Sequence, residues 1–353
     1  MSKTMRAAVY ENPGVITVKD VPIPEINDSE VLIKIAYTGI CGTDWSIYTG
    51  KYSADKLPLI AGHEFSGTIV EVGSEVIGLS VGDRVTADIN MGCGHCFYCR
   101  KGQTLLCSEF RQLGIHMDGA FAEYVKAPWK LIHKIPESMD MLKAAFVEPT
   151  SCVIHSLKAL NMPIGSSIAI LGSGLGSLHA AAAKERGAAP IIVIGRNKDR
   201  LEIAKKMGAD IVISTEDYPD PVERVRELTG GRGADYVIES VGTPETYEQA
   251  LDMLRPGGTL AAFGITADDD VMRINPAKLV LSEKKITSSC AGVGEDWTDA
   301  ITLLSNNRID PTPLFSKIMP LDKMEEALLL LQKNRNLVKI FITPVEGSET
   351  INL

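Results

Sequence analysis

The apolar positions of the chain follow one pattern up to about residue 150. Short apolar runs such as VLIKIAY and SGTIVEVG alternate there with turns such as PGV, VGDRV and MDGA, which are rich in Gly, Pro and Asp. Runs of this length, bounded by such turns, predict β-strands rather than helices. We therefore expect this region to form a Greek-key or barrel-like β-domain.

The pattern changes after about residue 160, where short strands alternate with helical segments. SSIAIL, IIVI, DIVIS, ADYVIES, GTLAAFG and KKITSS are predicted strands, and SLHAAAAKERG, DRLEIAKKMG, PVERVRELTG and TYEQALDML are predicted helices between them. Such alternation implies a doubly wound parallel sheet. After about residue 293, two amphipathic helices (DWTDAITLLSNN and KMEEALLLLQKN) and an apolar strand, VKIFITP, are expected to return to the first domain. The predicted segments are thus 1–153, 154–292 and 293–353.

Composition narrows the possible partners. The 353 residues carry a formal net charge of -9, with 45% hydrophobic and 23% charged residues, which fits a globular chain of about two domains. The acidic balance argues against nucleic-acid or anionic-membrane partners. The start, MSKTMRAAVYENPG, lacks the apolar core of a signal peptide, and apolar runs fall short of the ~20 residues of a membrane span. We expect a cytoplasmic protein with a small-molecule substrate.

Four of the seven cysteines lie close together between residues 93 and 107. An odd cysteine count without a secretion signal speaks against a disulfide framework. Cys93-x2-Cys96-x2-Cys99-x7-Cys107 can close a tetrahedral zinc shell that leaves no open position, so this ion would be structural. The alternative is four free or disulfide-linked cysteines. His95 lies within the loop, but four thiolates make it redundant, and it is predicted to be a bystander.

Two further motifs, GICGTD and GHEFSG, supply donors for a second zinc. A catalytic zinc needs about three protein ligands and an open position. Cys41 and His63 offer sulfur and nitrogen, and either Glu64 or the distant Glu148 offers oxygen. Asp44 can accept a hydrogen bond from the imidazole and fix its tautomer.

Together these motifs carry a resemblance to a known family. GHEFSGTIVEVGSEV matches the signature G-H-E-x2-G-x5-G-x2-V and occurs with CGTD, VGDRV and the four-cysteine lobe. The sequence resembles the zinc-containing medium-chain dehydrogenase/reductase family over essentially its whole length, and is closest in style to sorbitol, polyol and threonine dehydrogenases. The resemblance implies an α/β protein, in which a GroES-like β-barrel catalytic domain is interrupted by a Rossmann domain, with the active site in the cleft between them.

The family also implies roles for individual residues. Cys41, His63 and Glu64 would bind the catalytic zinc, with Glu148 as a direct ligand, a water-bridged neighbour or an interdomain salt-bridge residue. Thr43 would relay the proton of the alcohol. Many relatives carry His two residues after the Asp of CGTD, whereas this chain carries Ser46, which is counted among the candidate catalytic residues with Thr43, Asp44 and Glu64. The relay is then expected to run through Thr43 and water or a cofactor hydroxyl. The resemblance further suggests a homodimer or homotetramer.

The cofactor site is predicted after the strand SSIAIL, where Gly172-Ser173-Gly174-Leu175-Gly176-Ser177 precedes a helix. Glycines in such a turn let a pyrophosphate approach the helix N-terminus. Relative to G-x-G-x-x-G, either Ser177 replaces the third glycine or Gly176 takes its place. Gly264 is expected to face the cofactor, and the stretch around Ser289 to lie near the nicotinamide.

The end of the second strand bears on the choice of cofactor. Gly195 stands where an Asp or Glu normally binds the ribose hydroxyls of NAD, and Arg196 follows it. A small residue leaves room for a 2′-phosphate that a guanidinium can grip, and Arg200 could assist. NADP(H) is therefore favoured over NAD(H). Alternatively, Arg196 is a solvated turn residue that stacks on adenine while NAD is bound.

The predicted function is hydride transfer between NAD(P) and a small polar secondary alcohol, polyol or sugar alcohol, with two Zn²⁺ per chain. A non-catalytic zinc- or nucleotide-binding protein is the alternative from another class, and the zinc-free quinone-reductase branch of the same fold is a third. Because Cys41, Thr43, His63 and Glu64 are all present, both alternatives are disfavoured.

Overall fold

The computed structural model describes residues 4–353. The strands are β1 (Thr4–Asn12), β2 (Val15–Pro22), β3 (Glu30–Gly39), β4 (Leu59–Ile60), β5 (Glu64–Val72), β6 (Arg84–Ala87), β7 (Asn90–Met91), β8 (Arg111–Gln112), β9 (Tyr124–Pro128), β10 (Ile132–Lys134), β11 (Ile168–Leu171), β12 (Ile191–Gly195), β13 (Ile211–Ser214), β14 (Ala234–Glu239), β15 (Leu254–Ala262), β16 (Lys285–Ser288), β17 (Phe315–Pro320), β18 (Lys339–Thr343) and β19 (Ile351–Asn352).

The α-helices are α1 (Gly42–Tyr48), α2 (Phe97–Arg100), α3 (Met141–Ala144), α4 (Val147–Leu160), α5 (Leu175–Glu185), α6 (Lys198–Lys206), α7 (Pro221–Leu228), α8 (Pro244–Met253), α9 (Pro276–Leu281), α10 (Glu295–Ser305) and α11 (Met324–Lys333). Within residues 4–353, none of these helices is both long enough and apolar enough to cross a membrane.

The chain divides into two compact units. Of the described residues, the first unit contains 4–151, 293–305 and 315–353, and the second contains 152–292 and 306–314. The short segment 306–314 thus clusters with the second unit, whereas the sequence pattern assigns it to the returning tail.

The first unit is built mainly from antiparallel β-strands. An eight-stranded sheet has the order β10-β6-β5-β3-β18-β17-β19, with β9 also paired to β3. A three-stranded sheet has the order β2-β1-β4. Strand β18, from the end of the chain, pairs antiparallel with β3, so that Phe341 faces Gly39 in the register. The returning tail thereby completes the sheet that carries the first metal-binding motif.

The second unit is a six-stranded sheet in the order β13-β12-β11-β14-β15-β16, in which all pairs are parallel. Strand β11 reads IAIL and is buried throughout, as expected for a strand covered by helices on both faces. Apolar side chains of β11 to β15 pack with those of α7 and α8 in one cluster. The predicted doubly wound fold is confirmed.

One buried polar residue of this unit should make its stability sensitive to pH. His179 of α5 is fully buried and packs edge-on against Phe263, with ring centroids 4.5 Å apart. Its Nε2 has no hydrogen-bond partner among the described residues. Burial lowers the pKa of His179 to about 4, although the Leu175 carbonyl bonded to Nδ1 partly opposes this.

We expect the stability contribution of neutral His179 to be lost in acid. Its folded-state pKa lies below the unfolded value of 6.5, so the unfolded chain takes up the proton first. The contribution is complete above about pH 6.5 and is lost toward pH 4, amounting to roughly 3 kcal/mol. Denaturant unfolding of wild type and His179→Leu across this range should show a smaller pH dependence for the variant. Parallel curves would contradict the prediction.

Candidate functional site

The predicted metal ligands of the first unit lie close together. The sulfur of Cys41, a ring nitrogen of His63 and a carboxylate oxygen of Glu64 are all within 4.8 Å of one another. Cys41 follows β3 and caps α1, while His63 directly precedes β5, which pairs with β3. The pairing of two neighbouring strands therefore joins motifs that are about twenty residues apart.

Asp44 connects the two motifs. One carboxylate oxygen accepts a hydrogen bond from the Cys41 backbone N–H at 2.7 Å, and the other lies 3.7 Å from Nδ1 of His63. Both Asp44 and His63 are buried. Because Nδ1 is directed toward Asp44, Nε2 is the ring nitrogen left for a ligand, which is the arrangement common in metal-binding histidines.

The electrostatics of this site favour a cation. Burial lowers the pKa of His63, but the negative charges of Asp44 and Cys41 outweigh burial and raise the pKa to about 10. Burial raises the pKa of the Asp44 carboxyl to about 6, while the nearby His63 acts to lower it. The charge of Glu148 also contributes to raising the pKa of His63. A negative potential that stabilises a proton here would also attract a divalent metal ion.

Glu64 forms a buried ion pair that the sequence analysis missed. Nζ of Lys339 lies 2.6 and 2.8 Å from the two carboxylate oxygens of Glu64, and it also donates to the Ile40 carbonyl at 3.0 Å. Lys339 and Glu64 are only 6% and 1% exposed. Both oxygens of this predicted metal ligand are thus already engaged by an ammonium group.

The position of the Glu64 carboxylate depends on a glycine in the neighbouring strand. A Cβ placed on Gly39 would clash sterically with a Glu64 carboxylate oxygen. Any side chain at position 39 would therefore displace the carboxylate from its pairing with Lys339.

The remaining predicted residues of the catalytic motif take different positions. Oγ1 of Thr43 lies 3.8 Å from the Cys41 sulfur. Ser46 instead donates its hydroxyl to the Gly42 carbonyl at 3.4 Å, within α1. Glu148 is buried in the first turn of α4 and is not a member of the three-donor group, although its charge raises the pKa values of both His63 and Lys339.

The four-cysteine lobe is assembled as its spacing predicts. The sulfurs of Cys93, Cys96, Cys99 and Cys107 lie within 4.8 Å of one another. Backbone N–H groups donate to three of these sulfurs. The N–H of Cys96 donates to the Cys93 sulfur at 3.3 Å, and that of Cys99 donates to the Cys96 sulfur at 3.4 Å. The N–H of Cys93 donates to the Cys107 sulfur at 3.3 Å. Such bonds stabilise thiolates, so the donor set fits a tetrahedral zinc ion.

In the second unit, the predicted cofactor residues share one edge of the parallel sheet. Gly172 follows β11 with φ +109°, and Gly174 is the N-cap of α5, whose first residues are Leu175 and Gly176. A Cβ on Gly176 would lie 3.0 Å from the Ile170 side chain. Gly176 thus has the close helix–strand packing that the third glycine of the usual motif provides, while Ser177 bonds the Ser173 carbonyl.

The end of β12 explains why position 195 is a glycine here. A Cβ on Gly195 would lie 2.6 Å from the Ser173 hydroxyl oxygen, so the two residues compete for one space. The neighbouring Arg196 is exposed, whereas Arg200 is half-buried. An Arg200 guanidinium nitrogen lies 3.5 Å from a Cβ built on Gly174, which places a positive charge beside the glycine turn.

Later strands bring further groups to the same edge. Gly264 packs against the Gly242 backbone, and its carbonyl accepts a hydrogen bond from Tyr247 at 2.5 Å. The hydroxyls of Ser240 and Ser289 are buried without a hydrogen-bond partner in the part of the chain that the structure describes. Ser289 was predicted to lie near the cofactor, whereas Ser240 was missed although it is the last residue of the predicted strand ADYVIES.

Two family models and several relatives match this chain. Residues 27–137 match the family described as alcohol dehydrogenase GroES-like domain, and residues 174–306 match the family described as zinc-binding dehydrogenase. A sorbitol dehydrogenase of Halalkalibacterium halodurans is 35% identical over 97% of this chain and 100% of its own length. An L-threonine 3-dehydrogenase of Bacillus velezensis is 37% identical over 95% of this chain and 98% of its own.

A solved structure shows the same fold. A crystal structure described as a zinc-binding dehydrogenase of Sinorhizobium meliloti 1021, bound to NADP, superimposes with a TM-score of 0.92. The two sequences are 32% identical, and the superposition covers 97% of this chain and 100% of the Sinorhizobium meliloti chain.

We expect Lys339→Met to destabilise the protein by about 3–5 kcal/mol, because it leaves the Glu64 carboxylate buried without its counter-charge. The double variant Glu64→Gln/Lys339→Met should recover most of this loss. Denaturant unfolding of proteins with matched zinc content measures the effect.

A matched control is available on the same sheet. Lys34 of β3 is exposed, so Lys34→Met should change the free energy of unfolding by less than about 0.5 kcal/mol. If Lys339→Met cost no more than this control, the ion pair would not have the structural importance assigned to it.

Proposed function

The chain belongs to the zinc-dependent alcohol and polyol dehydrogenase family, and we propose that it transfers a hydride between a nicotinamide cofactor and a small polar secondary alcohol, polyol or sugar alcohol, or the matching ketone. The observation that carries this proposal is the group of Cys41, His63 and Glu64 with Asp44 behind the imidazole. A sulfur and a nitrogen donor with one further oxygen leave room for substrate on a tetrahedral ion.

We propose two zinc sites per chain with different roles. Cys93, Cys96, Cys99 and Cys107 would hold a structural ion. Cys41 and His63 would hold the catalytic ion, with the third ligand coming from Glu64 or Glu148. The Glu64–Lys339 ion pair supports Glu148, since Glu64 would have to exchange its ammonium partner for the metal.

The residues around the catalytic site would bind, orient and move a proton. When bound, zinc supplies Lewis acidity for the substrate oxygen, and the nicotinamide supplies the hydride acceptor or donor. Asp44 lies 3.7 Å from Nδ1 of His63, so Nε2 is the ring nitrogen that would bind the metal. Thr43, half-buried and beside Cys41, would pass the substrate proton toward solvent. Ser46 bonds its own helix, so we do not assign it the relay role of the histidine found in many relatives.

For the cofactor we propose NADP(H) rather than NAD(H). Gly195 offers no carboxylate for the ribose hydroxyls, and Arg196 and Arg200 bring two positive charges to the end of β12. The relative from Sinorhizobium meliloti is bound to NADP. The ribose 2′-phosphate would be gripped by these guanidinium groups.

We also propose that the protein is a homodimer or homotetramer. Strand β16 ends the six-stranded sheet, which leaves its outer backbone edge open for pairing. Apolar side chains are exposed on and beside it, with Ile286 41%, Val280 72% and Leu281 86% exposed. Exposed apolar residues at a sheet edge are typical of a surface that another chain covers.

The function is tested by an absorbance screen with NADPH and NADH against polyols, hydroxy acids, amino alcohols and simple ketones, combined with metal analysis. We expect two zinc ions per chain and turnover of at least one polar alcohol or ketone.

Cys41→Ser should lose one zinc and reduce turnover to background, because the catalytic donor set is broken. Cys152→Ser, which changes a buried cysteine outside the three-donor group, should keep both. One zinc per chain with no nicotinamide binding would contradict the proposed enzyme.

Arg196→Ala tests the choice of cofactor. A hydrogen bond to a charged group contributes about 1.5–3 kcal/mol, so the KM for NADP(H) should rise roughly tenfold to hundredfold, with the KM for NAD(H) nearly unchanged. Lys198→Ala, at a nearby lysine paired with Asp217 at 2.9 Å, is the matched control. Equal effects of Arg196→Ala on both cofactors would defeat the phosphate-grip proposal.

Crowding at position 195 limits a change of cofactor preference from NADP(H) to NAD(H). Gly195→Asp should favour NAD(H) only when combined with Ser173→Gly, because the Ser173 hydroxyl occupies the space of the new side chain.

A further inference from the structure

The cysteine lobe (Cys93–Cys107) contains metal donors that the four-thiolate group does not use. The sulfur of Cys93, a ring nitrogen of His95 and a carboxylate oxygen of Glu109 lie within 4.8 Å of one another. Thiolate, imidazole and carboxylate are all ligands that Zn²⁺ accepts. Since Cys93 also belongs to the four-thiolate group, the two donor groups share one sulfur.

The backbone of the lobe orients His95 for metal binding. Its Nδ1 lies 2.9 Å from the Cys93 carbonyl oxygen. A carbonyl can only accept, so Nδ1 carries the proton and Nε2 keeps a free lone pair. This second hydrogen bond is the feature that fixes the tautomer and the ring direction of metal-binding histidines. His95 therefore has a feature that a bystander would not need.

Exposure to solvent decreases in order from the outer donors to the inner ones. His95 and Glu109 are exposed, whereas three of the four sulfur residues (Cys93, Cys96 and Cys99) are half-buried and Cys107 is buried. The backbone N–H of Glu109 donates to the Cys107 sulfur at 3.4 Å. This hydrogen bond keeps Glu109 next to the four-thiolate group. An ion held by His95 and Glu109 would reach the other sulfurs through Cys93, because Cys93 is the donor that belongs to both groups.

The shared sulfur argues against two permanently occupied sites. With Cys93 shared, only His95 and Glu109 belong to the outer group alone, so an ion there would have fewer donors of its own than an ion in the four-thiolate group. The outer donors would consequently bind best when the inner site is empty or is losing its ion.

We infer that Cys93, His95 and Glu109 form an outer site that captures Zn²⁺ and passes it to the four-thiolate site, and through which the ion also leaves. The ion keeps its bond to the Cys93 sulfur throughout. Its bonds to His95 and Glu109 break while bonds to Cys96, Cys99 and Cys107 form, and the protons of these three thiols pass to His95, Glu109 and water. No oxidant or reductant is needed. The inference rests on the proposed zinc site in the lobe.

Metal exchange in the folded, zinc-loaded protein tests this inference without relying on activity. Added Cd²⁺ replaces lobe zinc, and the ultraviolet absorption of cadmium–thiolate bonds follows its entry. His95→Ala and Glu109→Gln should each slow exchange roughly tenfold, comparable to the loss of a partner at other metal sites. The final cadmium content should equal that of wild type, because all four thiolates remain. Gln103→Ala, at an exposed residue of the same lobe, should exchange at the wild-type rate.

The possible outcomes separate the inference from the function on which it rests. Wild-type exchange rates in both variants would overturn the capture site while leaving the four-thiolate zinc site intact. A lower final cadmium content in either variant would also overturn it, since the side chain would then be a permanent ligand. If the wild-type signal corresponded to one thiolate only, as expected from the Cys41 site alone, the lobe would not be a zinc site at all.

Discussion

The buried ion pair between Glu64 and Lys339 is the constraint on which the metal site of the first unit depends. Two buried charges are tolerated when each neutralises the other and the remaining hydrogen bonds are made, and Lys339 uses a further proton to bond the Ile40 carbonyl. Strand β18 must therefore lie beside the strand end that leads into Cys41. The last part of the chain thus supports the backbone of the first metal motif, and Gly39 leaves the space in which the pair forms.

The second unit depends on a different constraint, which is the common direction of its strands. Because all six strands are parallel, their carboxyl ends meet at one edge, where cofactors bind in such sheets. The register places Ile194, Leu171, Glu239, Ala262 and Ser288 in one row across this edge. The residues that follow this row supply the glycine turn, the basic pair and two buried hydroxyls. Close packing at Gly176 and Gly195 allows these loops to approach one another without side-chain clashes.

Features whose chemistry is local could be predicted from the sequence. The cysteine spacing, the strand–helix alternation and the glycine turn each lie within a short stretch, and the structure assembles them accordingly. Lys339 could not be found in this way because its partner is 275 residues away. The only signal was a lysine inside the otherwise apolar strand VKIFITP. The hydroxyl of Ser46 was assigned from its position in a motif, but the nearest acceptor is in its own helix, and motif position does not reveal that competition.

The charge of the catalytic site bears on which carboxylate completes it. Glu64 and Lys339 together are neutral and a neutral His63 adds no charge, so Cys41 is the charged donor of the pair Cys41 and His63, while the Asp44 carboxylate lies behind the imidazole. Glu148 is buried and close enough that its charge raises the pKa values of both His63 and Lys339. Recruiting Glu64 would leave the Lys339 ammonium buried beside a cation, whereas Glu148 could approach the ion without breaking that ion pair. The cost of an unpaired Lys339 therefore supports the proposal that Glu148 is the third ligand, and the ion pair of Glu64 with Lys339 anchors β18 beside the site.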